Sequence, residues 1–527
     1  MEYVIGIDTG GTFTDVVAID GEGKTITGKA PTTAENLSEG IMNALEDIAR
    51  QVGVGLGDLL AETKIFKFSG TIATNTLLTR TGAKTGLITT AGFEDTLYIA
   101  RSISAWAGLS EEEVRHVYRQ EKPEPLVPKS LVRGVTERVD WKGSEVCVLD
   151  TEEVRQAARS LAAEGVRSIA VCFMWSVRNG AHEAEAERII AEECPGVYLS
   201  VSHKVAPSLG EYERFTTTVI NAYLGPVVAG FLSGLQKTLR EKGFKGQALV
   251  MQAHGGCVYP HEALPVHTIQ SGPSAGVIAS KNEGQVLGHS NVMTTDVGGT
   301  SFDVGLVAEG SWIYAREPVI GKFHVSFPII EVVSIGAGGG SVAWVDQLGV
   351  LHVGPQSAGA HPGPACYGQG GTEATVTDAD LVLGYLNPDY FLGGRMKLYP
   401  DKAREAIQKL AERIGMDVTR TAAGIFEIAN AHMAGLLTSH VVGRGHDPRD
   451  FVVFAYGGAG GMHTAFYAAE AGVQEVVVPA AAATYSALGA ATADLLHSAQ
   501  SYDFVAMPMD PDRFNGNFKD LEAQVKE

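Results

Sequence analysis

Apolar residues along the chain follow two different spacings. From Leu37 to Ile48 they recur at about one helical turn and predict an amphipathic helix. Residues Asp150 to Glu153 predict the capped start of another helix, which ends near Gly165. Short β-type runs such as Ser168–Phe173 lie between the helical segments. This alternation predicts an α/β fold built from layers of sheet and helix.

One pattern of eight residues occurs twice. It reads Asp-Thr-Gly-Gly-Thr-Phe-Thr-Asp from Asp8 to Asp15 and Asp-Val-Gly-Gly-Thr-Ser-Phe-Asp from Asp296 to Asp303. Composition alone would repeat such a pattern in about one chain in a thousand. β-Type residues flank both copies, so each predicts a strand, a glycine turn and a second strand. A third glycine-rich loop, Gly457–Gly461, follows an apolar run directly.

The glycine turns are candidate phosphate sites. Paired glycines permit positive φ, and without a Cβ their N–H groups can converge on a phosphate oxygen. Neighbouring hydroxyl groups would add donors. The predicted phosphate-binding residues are Gly10, Gly11, Thr12, Thr14, Gly298, Gly299, Thr300 and Ser301.

Acidic residues beside these turns predict a bound cation. The carboxylates of Asp8 and Asp296 would repel a phosphate by about 4 kcal/mol at 4 Å in an effective dielectric near 20. A divalent cation between the charges removes this conflict. We therefore expect Mg²⁺, or alternatively Mn²⁺, held by Asp8 and Asp296 directly or through waters. Asp15 and Asp303 are candidate catalytic carboxylates, or residues that only stabilise the hairpins through hydrogen bonds.

Other nucleotide and metal motifs are missing from the sequence. No G-x-x-x-x-G-K-[ST] motif is present, and no G-x-G-x-x-G opens a helix. The histidines do not form H-E-x-x-H or another zinc-ligand spacing, which favours structural roles for them. A single Gly-Gly turn would more often be a plain hairpin, but two matched copies and a third loop favour phosphate binding.

Charge and hydropathy narrow the classes of partner. The formal net charge is −20, which disfavours nucleic acid and anionic lipid. The N-terminus shows no basic leader, and polar residues interrupt the apolar stretch Val476–Leu496, so we predict no signal peptide and no membrane span. The 5 cysteines are scattered without a C-x-x-C pair, which suits a reducing compartment. We expect a cytoplasmic protein that binds neither nucleic acid nor membrane.

These residues resemble the superfold of actin, sugar kinases and heat-shock ATPases, whose two similar halves each provide a phosphate hairpin. Asp8–Asp15 and Asp296–Asp303 look like its phosphate motifs, and Gly457–Gly460 looks like its adenosine motif. Ser271–Gly276 and Thr484–Asp494 look like its two connecting helices. The resemblance implies a two-lobed, ribonuclease H-like α/β ATPase fold with inserted α/β regions. It also implies an adenosine site formed by Gly457, Gly458, Ala459 and Gly460.

Within that superfold the sequence most resembles the hydantoinase A, 5-oxoprolinase and acetone carboxylase β-subunit family. The matching segments are Gly6–Asp15, Ser69–Asn75, Ser271–Pro273, Ala358–Gly368, Gly445–Pro448 and Tyr456–His463. The resemblance implies an N-terminal lobe at 1–200 with the first hairpin and a core lobe at 201–495 with the second hairpin and the adenosine loop. Residues 496–527 form a short tail where family members usually continue into a further domain.

The family resemblance implies that ATP phosphorylates a carbonyl oxygen. The substrate would be a ketone enolate before carboxylation, or a cyclic amide before hydrolysis. Arg133–Asp140 and His254–Gly256 look more like the acetone and acetophenone carboxylase subunits, which favours a ketone. The implied partners are a hydantoinase B-like subunit and, for a carboxylase, a small third subunit. A small-molecule kinase and an actin-like filament or chaperone-type ATPase remain alternatives.

Overall fold

The chain forms two compact units, each built from separate stretches of sequence. The computed structural model describes residues 2–33, 36–107, 109, 111–505 and 507–526. Unit 1 comprises Met1–Leu59, Gly272–Ile313 and Ile330–Ala493. Unit 2 comprises Leu60–Ser271, Tyr314–Ile329 and Asp494–Glu527. Both units contain strands and helices, which confirms the α/β class; the division at residues 200 and 495 stays a prediction.

The strands have the following bounds in chain order: β1 Tyr3–Thr9, β2 Phe13–Ile19, β3 Thr25–Pro31, β4 Thr63–Gly70, β5 Thr85–Thr90, β6 Val132–Val135, β7 Arg138–Val139, β8 Glu145–Cys147, β9 Ser168–Cys172, β10 Tyr198–Val201, β11 Gln247–Met251, β12 Cys257–Val258, β13 Val292–Val297, β14 Phe302–Ala308, β15 Ser311–Trp312, β16 Val319–Ile320, β17 Phe323–His324, β18 Val332–Ile335, β19 Ser341–Val345, β20 Leu351–Ser357, β21 Val452–Tyr456 and β22 Glu475–Val477.

The α-helices have the following bounds: α1 Leu37–Val52, α2 Leu56–Glu62, α3 Ile72–Leu78, α4 Thr96–Ile99, α5 Glu111–Val114, α6 Thr151–Ala163, α7 Ala181–Glu193, α8 Ser202–Val205, α9 Glu211–Glu241, α10 Ser271–Leu287, α11 Val376–Leu383, α12 Pro400–Ile414, α13 Val418–Gly443, α14 Gly460–Glu470, α15 Tyr485–Thr492 and α16 Pro511–Lys526.

Unit 1 contains two similar arrangements of strands. In the first, β1 pairs antiparallel with β2, and β2 pairs antiparallel with β3. In the second, β14 pairs antiparallel with β13 and β15, while β21 and β22 extend the sheet in parallel from β13. Of the apolar residues that predict the first helix, Ile41, Leu45 and Ile48 lie buried on α1 and Leu37 is half-buried; the helix packs against β2 and β3. Both copies of the repeated pattern therefore form the predicted strand, turn and strand.

Helices α10 and α15 lie where the two connecting helices are predicted. They cross so closely that a Cβ on Gly489 would lie 1.8 Å from the carbonyl oxygen of Ala275. Helix α15 also packs on β1, where a Cβ on Gly6 would lie 2.2 Å from the carbonyl oxygen of Ala487. Because real Cβ atoms do not approach backbone this closely, only glycine fits at these two positions.

Unit 2 contains a parallel sheet of order β10-β9-β5-β6. Helix α6 begins as predicted, because the Asp150 carboxylate accepts hydrogen bonds from the N–H groups of Glu152 and Glu153. Helix α9 is long and apolar enough to cross a membrane by length and composition, but 61% of its most apolar stretch is buried in the protein. It packs against β9 and β10 and buries Arg214 and Asn221, which is typical of a core helix.

Candidate phosphate-binding site

The two repeated hairpins have the same turn. The N–H of Gly10 donates to the carbonyl oxygen of Phe13 at 2.9 Å, and the N–H of Gly298 donates to that of Ser301 at 3.0 Å. In the strand register Asp8 lies opposite Asp15, and Asp296 lies opposite Asp303. Each hairpin therefore carries two carboxylates on one face beside a glycine tip.

The tips of both hairpins are open to a ligand. Gly11, Thr12, Gly299 and Thr300 are exposed. Within the part of the chain that the structure describes, no protein group accepts a hydrogen bond from their N–H groups. The expectation that positive φ explains the glycine pairs is wrong, because none of these glycines has a left-handed φ. A Cβ on Gly11 or Gly299 would project into open space, so glycine leaves these tips uncovered.

The two hairpins bring four carboxylates close enough to interact. Burial, followed in importance by the charges of Asp303, Asp8 and Asp15, raises the pKa of Asp296 to about 8, against a smaller opposing effect of Lys29. Burial also raises the pKa of Asp303, against hydrogen bonds from Ser334 and Ser301 that lower it. Since charges of the first hairpin act on Asp296 of the second, the repeated motifs form one anionic cluster.

Lys29 is the functional neighbour that sequence reasoning missed. Its Nζ lies 2.6 Å from Oδ1 of Asp15 and donates to the carbonyl oxygen of Ala483 at 3.0 Å. Burial raises the pKa of Asp15, and the ammonium of Lys29 opposes that rise. In the second hairpin the register position equivalent to Lys29 holds Ser334, beside Asp303. The first hairpin therefore pairs one of its carboxylates with a cation, whereas the equivalent position of the second hairpin holds a neutral hydroxyl.

The third glycine loop lies against the second hairpin. Gly457 has a φ of +84°, and a Cβ there would lie 2.1 Å from Oδ1 of Asp296 and 2.6 Å from the carbonyl oxygen of Val297. The N–H of Ala459 donates to that same carbonyl oxygen at 3.0 Å. Gly458 is exposed at the tip, and α14 begins at Gly460. Only glycine fits at position 457, where the predicted adenosine loop packs directly against Asp296, a predicted metal ligand.

Thr14 lies behind the first hairpin and is buried. Its hydroxyl oxygen is 3.1 Å from that of Thr32. The hydroxyl of Thr32 donates to the carbonyl oxygen of Gly10 at 2.9 Å. The backbone N–H of Thr32 donates to the carbonyl oxygen of Thr12 at 2.9 Å. Thr14 and Thr32 thus brace the tip from within the protein, and a direct phosphate contact from Thr14 stays a prediction.

The side chains at this site suit a divalent cation that is also bound by a nucleotide better than they suit a metal ion held by protein ligands alone. Among the described residues, no group of three or more His, Cys, Asp or Glu side chains is arranged to hold a metal ion. Mg²⁺ commonly takes one or two carboxylates and completes its shell with waters and phosphate oxygens. Asp8 and Asp296, within an anionic cluster beside free N–H groups, match that requirement.

Two family models cover most of the sequence. The model for the hydantoinase/oxoprolinase N-terminal region matches residues 4–194, and the hydantoinase/oxoprolinase model matches residues 214–499. The chain belongs to the hydantoinase/oxoprolinase family. The family resemblance predicted from the glycine motifs is therefore confirmed.

Named relatives of this hydantoinase/oxoprolinase chain are subunits of enzymes. It is 42% identical to the acetophenone carboxylase gamma subunit of Aromatoleum aromaticum, over 99% of this chain and 72% of that one. It is 37% identical to the caprolactamase subunit alpha of Pseudomonas jessenii, over 99% and 73%. It is 36% identical to the acetone carboxylase beta subunit of Xanthobacter autotrophicus, over 93% and 69%. The chain is therefore an enzyme of this family.

Two solved structures match nearly the whole fold. Nucleotide-free acetone carboxylase aligns with a TM-score of 0.84 at 34% identity, covering 99% of this chain and 76% of the other. The ATP-dependent caprolactamase of Pseudomonas jessenii aligns with a TM-score of 0.85 at 35% identity, covering 99% and 75%. These matches confirm the predicted fold class of the hydantoinase/oxoprolinase chain.

Proposed function

We propose that this chain is the ATP-binding subunit of an enzyme that activates a carbonyl compound by phosphorylating its oxygen. One observation carries the proposal: two matched hairpins present free tip N–H groups beside interacting carboxylates. Donors of this kind bind phosphate oxygens, and the carboxylates attract the cation that accompanies a nucleotide. The ATP-dependent enzymes among the aligned structures support the choice of ATP.

In this proposal each part of unit 1 has a separate task. The tips Gly10–Thr12 and Gly298–Thr300 bind the phosphates, and Gly457–Gly460 binds adenosine. Asp8 and Asp296 hold Mg²⁺ or its waters. When bound, Mg²⁺ would neutralise phosphate charge during transfer. Asp15 and Asp303 orient the reacting groups by hydrogen bonding, with Asp15 held in place by Lys29.

Phosphoryl transfer needs little covalent chemistry from the protein. Positioning and charge neutralisation supply most of the rate, so backbone donors and carboxylates suffice without a covalent nucleophile. The substrate carbonyl oxygen attacks the γ-phosphorus, and ADP leaves. On an amide oxygen the phosphate is then a good leaving group for hydrolysis. A ketone first loses an α-proton to give the enolate that is phosphorylated, and the phosphoryl group passes to bicarbonate or water when the new carbon–carbon bond forms and the ketone returns.

We favour a ketone as substrate. The relative at 42% identity is named for acetophenone, and another at 36% is named for acetone. Arg133–Asp140 and His254–Gly256 resemble the same ketone carboxylase subunits. In this version phosphorylation of the enolate oxygen precedes attachment of a carboxyl group.

A cyclic amide is the second candidate, because a relative at 37% identity and an aligned structure are caprolactamases. In that case phosphate on the amide oxygen would activate the carbonyl carbon for attack by water, which opens the ring. The proposed partner is a hydantoinase B-like subunit, joined by a small third subunit in a carboxylase. Relatives named as gamma, alpha and beta subunits support such an assembly.

Substrate-dependent ATP turnover tests this proposal. The chain and its co-purifying partners are incubated with Mg²⁺-ATP and with acetophenone plus bicarbonate, acetone plus bicarbonate, or caprolactam. We expect phosphate release to rise about tenfold or more with one ketone and not with caprolactam. Stimulation by caprolactam alone would favour the amide candidate.

Isotope transfer tests the phosphorylation step itself. With caprolactam as the active substrate, ¹⁸O in its carbonyl group should appear in inorganic phosphate, because water displaces the phosphate together with the bridging oxygen. Label that stays out of phosphate, under conditions where the carbonyl has not exchanged with water, would contradict phosphorylation of the amide. With a ketone the P–O bond breaks and the label stays in the product ketone, so the test there is an enol phosphate detected by mass spectrometry when bicarbonate is withheld; its absence during ketone-dependent ATP turnover would contradict phosphorylation of the enolate. A free polyol phosphate released by the chain alone would instead indicate a small-molecule kinase.

A further inference from the structure

A second glycine-rich segment lies on the tip of the second hairpin. We call residues Gly336–Gly340, which connect β18 to β19, the glycine strip. The N–H of Gly339 donates to the carbonyl oxygen of Gly298 at 3.0 Å, and the N–H of Gly340 donates to that of Gly299 at 2.7 Å. A Cβ on Gly338 would lie 2.7 Å from the backbone nitrogen of Thr300. The strip therefore packs backbone against backbone, at a distance that only glycine permits.

Four of the five N–H groups of the glycine strip are bound to protein acceptors. The N–H of Ala337 donates to the carbonyl oxygen of Ile335 at 2.9 Å, and that of Gly338 donates to the Ser341 hydroxyl at 2.9 Å. The next two N–H groups are those already bound to the hairpin. The tips of the phosphate hairpins differ in this respect, since the N–H groups of Gly11, Thr12, Gly299 and Thr300 bind no described protein group. The strip is thus built as a support and not as a third phosphate loop.

Thr377 fixes the other side of the strip. Its N–H donates to the carbonyl oxygen of Gly339 at 2.7 Å, and its hydroxyl donates to the same oxygen at 2.8 Å. Thr377 lies in the first turn of α11, where Thr375 and Asp378 form a capping box. Asp378 also accepts hydrogen bonds from the N–H groups of Ala365 and Cys366. The strip is therefore anchored to a rigid helix start.

The first hairpin is supported in another way. There the side chain and backbone of Thr32 bind the carbonyl oxygens of Gly10 and Thr12. In the second hairpin the glycine strip instead binds the carbonyl oxygens of Gly298 and Gly299, which correspond to Gly10 and Gly11 of the first. The two repeats share their ligand-facing residues but not their supports.

We propose that the glycine strip and Thr377 are positioning elements that hold the second hairpin tip in its phosphate-binding geometry. They would not touch the nucleotide. A displacement of about 1 Å in a reacting group can lower turnover about 100-fold, so a support behind the tip matters for catalysis. This inference rests on the proposed function, because it assigns supports to the same ATP site.

The test compares Gly338→Ala, Thr377→Val and Thr377→Ser with the wild type. Gly338→Ala forces the strip away from the tip, and Thr377→Val removes one donor while keeping the side-chain shape. Thr377→Ser retains the hydroxyl. The matched control is Gly435→Ala on α13 of the same unit, where a Cβ would meet nothing within 4 Å. Calorimetry gives the affinities for a nonhydrolysable ATP analogue with Mg²⁺ and for adenosine, and phosphate release gives turnover.

We expect Gly338→Ala to weaken binding of the ATP analogue about tenfold or more, and to change adenosine affinity by less than about twofold. Thr377→Val should show a smaller loss in the same direction, and Thr377→Ser should restore binding. Equal ATP-analogue affinity in wild type, Gly338→Ala and Thr377→Val would overturn the inference. So would parallel losses of ATP-analogue and adenosine affinity, which indicate a general structural role.

Two further outcomes separate this inference from the proposed function. If Gly338→Ala does not fold, the Thr377→Val and Thr377→Ser pair decides the question alone. If the wild type itself binds neither the ATP analogue nor adenosine, the proposed function fails and the inference falls with it. If the wild type binds both and the variants match it, only the positioning role is refuted.

Discussion

Asp296 is a residue at which charge and burial conflict. Burial and three neighbouring carboxylates raise its pKa to about 8. Lys29 is the cation that acts on this cluster, and it pairs with Asp15 of the other hairpin. Without a ligand this arrangement opposes folding, because a charged Asp296 is more stable in the unfolded chain. Such conflicts are common where a site is shaped for a ligand and not for stability.

Replacing Asp296 with Asn should therefore stabilise the ligand-free protein and inactivate it. We expect a gain of several kcal/mol, at most about 5, in the free energy of unfolding near pH 8, and a fall in ATP turnover of about 100-fold. Denaturant unfolding in EDTA and phosphate release with Mg²⁺-ATP provide the two values. Asp450→Asn, at an exposed position in the same unit, is the control.

The pH dependence of that gain follows from the raised pKa. In the unfolded chain Asp296 loses its proton near pH 4, whereas in the folded protein it keeps the proton until about pH 8. Folding stability due to this group is therefore lost progressively between these values as pH rises. The advantage of Asp296→Asn should grow from pH 5 to pH 8. A constant or shrinking advantage would contradict the clustered carboxylates.

Gly457 provides a second residue-scale prediction. Alanine there combines an unfavourable φ with a Cβ 2.1 Å from Oδ1 of Asp296. We expect Gly457→Ala to weaken ATP-analogue binding about tenfold or more by displacing the loop from the end of β13. Calorimetry against Gly435→Ala measures the effect. Unchanged affinity would mean that this loop does not contribute to the nucleotide site.

At the scale of elements, the sequence predicted the hairpins well because each is local. Eight consecutive residues with a repeated composition determine a strand, a turn and a strand without help from distant segments. The elements that support the hairpins could not be found in this way. Lys29 comes to lie beside Asp15 only through the register of a third strand, β3, against β2. The glycine strip begins at Gly336, 38 residues after Gly298. Only long-range packing brings such segments to the tips.

The crossing of α10 and α15 is testable at this scale. A Cβ on Gly489 would overlap the carbonyl oxygen of Ala275. An alanine there would therefore force α15 to shift against its neighbours α10 and β1, and β1 carries Asp8. We expect Gly489→Ala to lower the free energy of unfolding by about 2–3 kcal/mol. Denaturant unfolding compared with Gly435→Ala is the measurement. A loss below about 0.5 kcal/mol would show that the helices do not pack this closely.

At the scale of the whole molecule, the compact units do not follow the order of the sequence. The family resemblance implies lobes at 1–200 and 201–495, which stay a prediction; grouped by contacts, unit 1 gathers Met1–Leu59 with two later stretches. Contacts between distant strands and helices decide such groupings, and periodicity within a segment contains no information about them. The predicted α/β class nevertheless holds, because it depends on local alternation alone.

The location of the predicted nucleotide-binding residues indicates which step this chain can perform without a partner. All of them lie in unit 1 of this one chain. We therefore expect the purified chain to bind Mg²⁺-ATP without a partner, whereas conversion of the carbonyl substrate should require the hydantoinase B-like subunit. Binding is followed by calorimetry and product formation by mass spectrometry, with and without the partner. Nucleotide binding that appears only in the complex would contradict this division.

A crystal structure with Mg²⁺ and a nonhydrolysable ATP analogue tests the central claim most directly. The account predicts phosphate oxygens within hydrogen-bonding distance of the N–H groups at Gly11 or Thr12 and at Gly299 or Thr300, with the cation beside Asp8 and Asp296. An analogue bound elsewhere, with neither hairpin tip contacting phosphate, would contradict it.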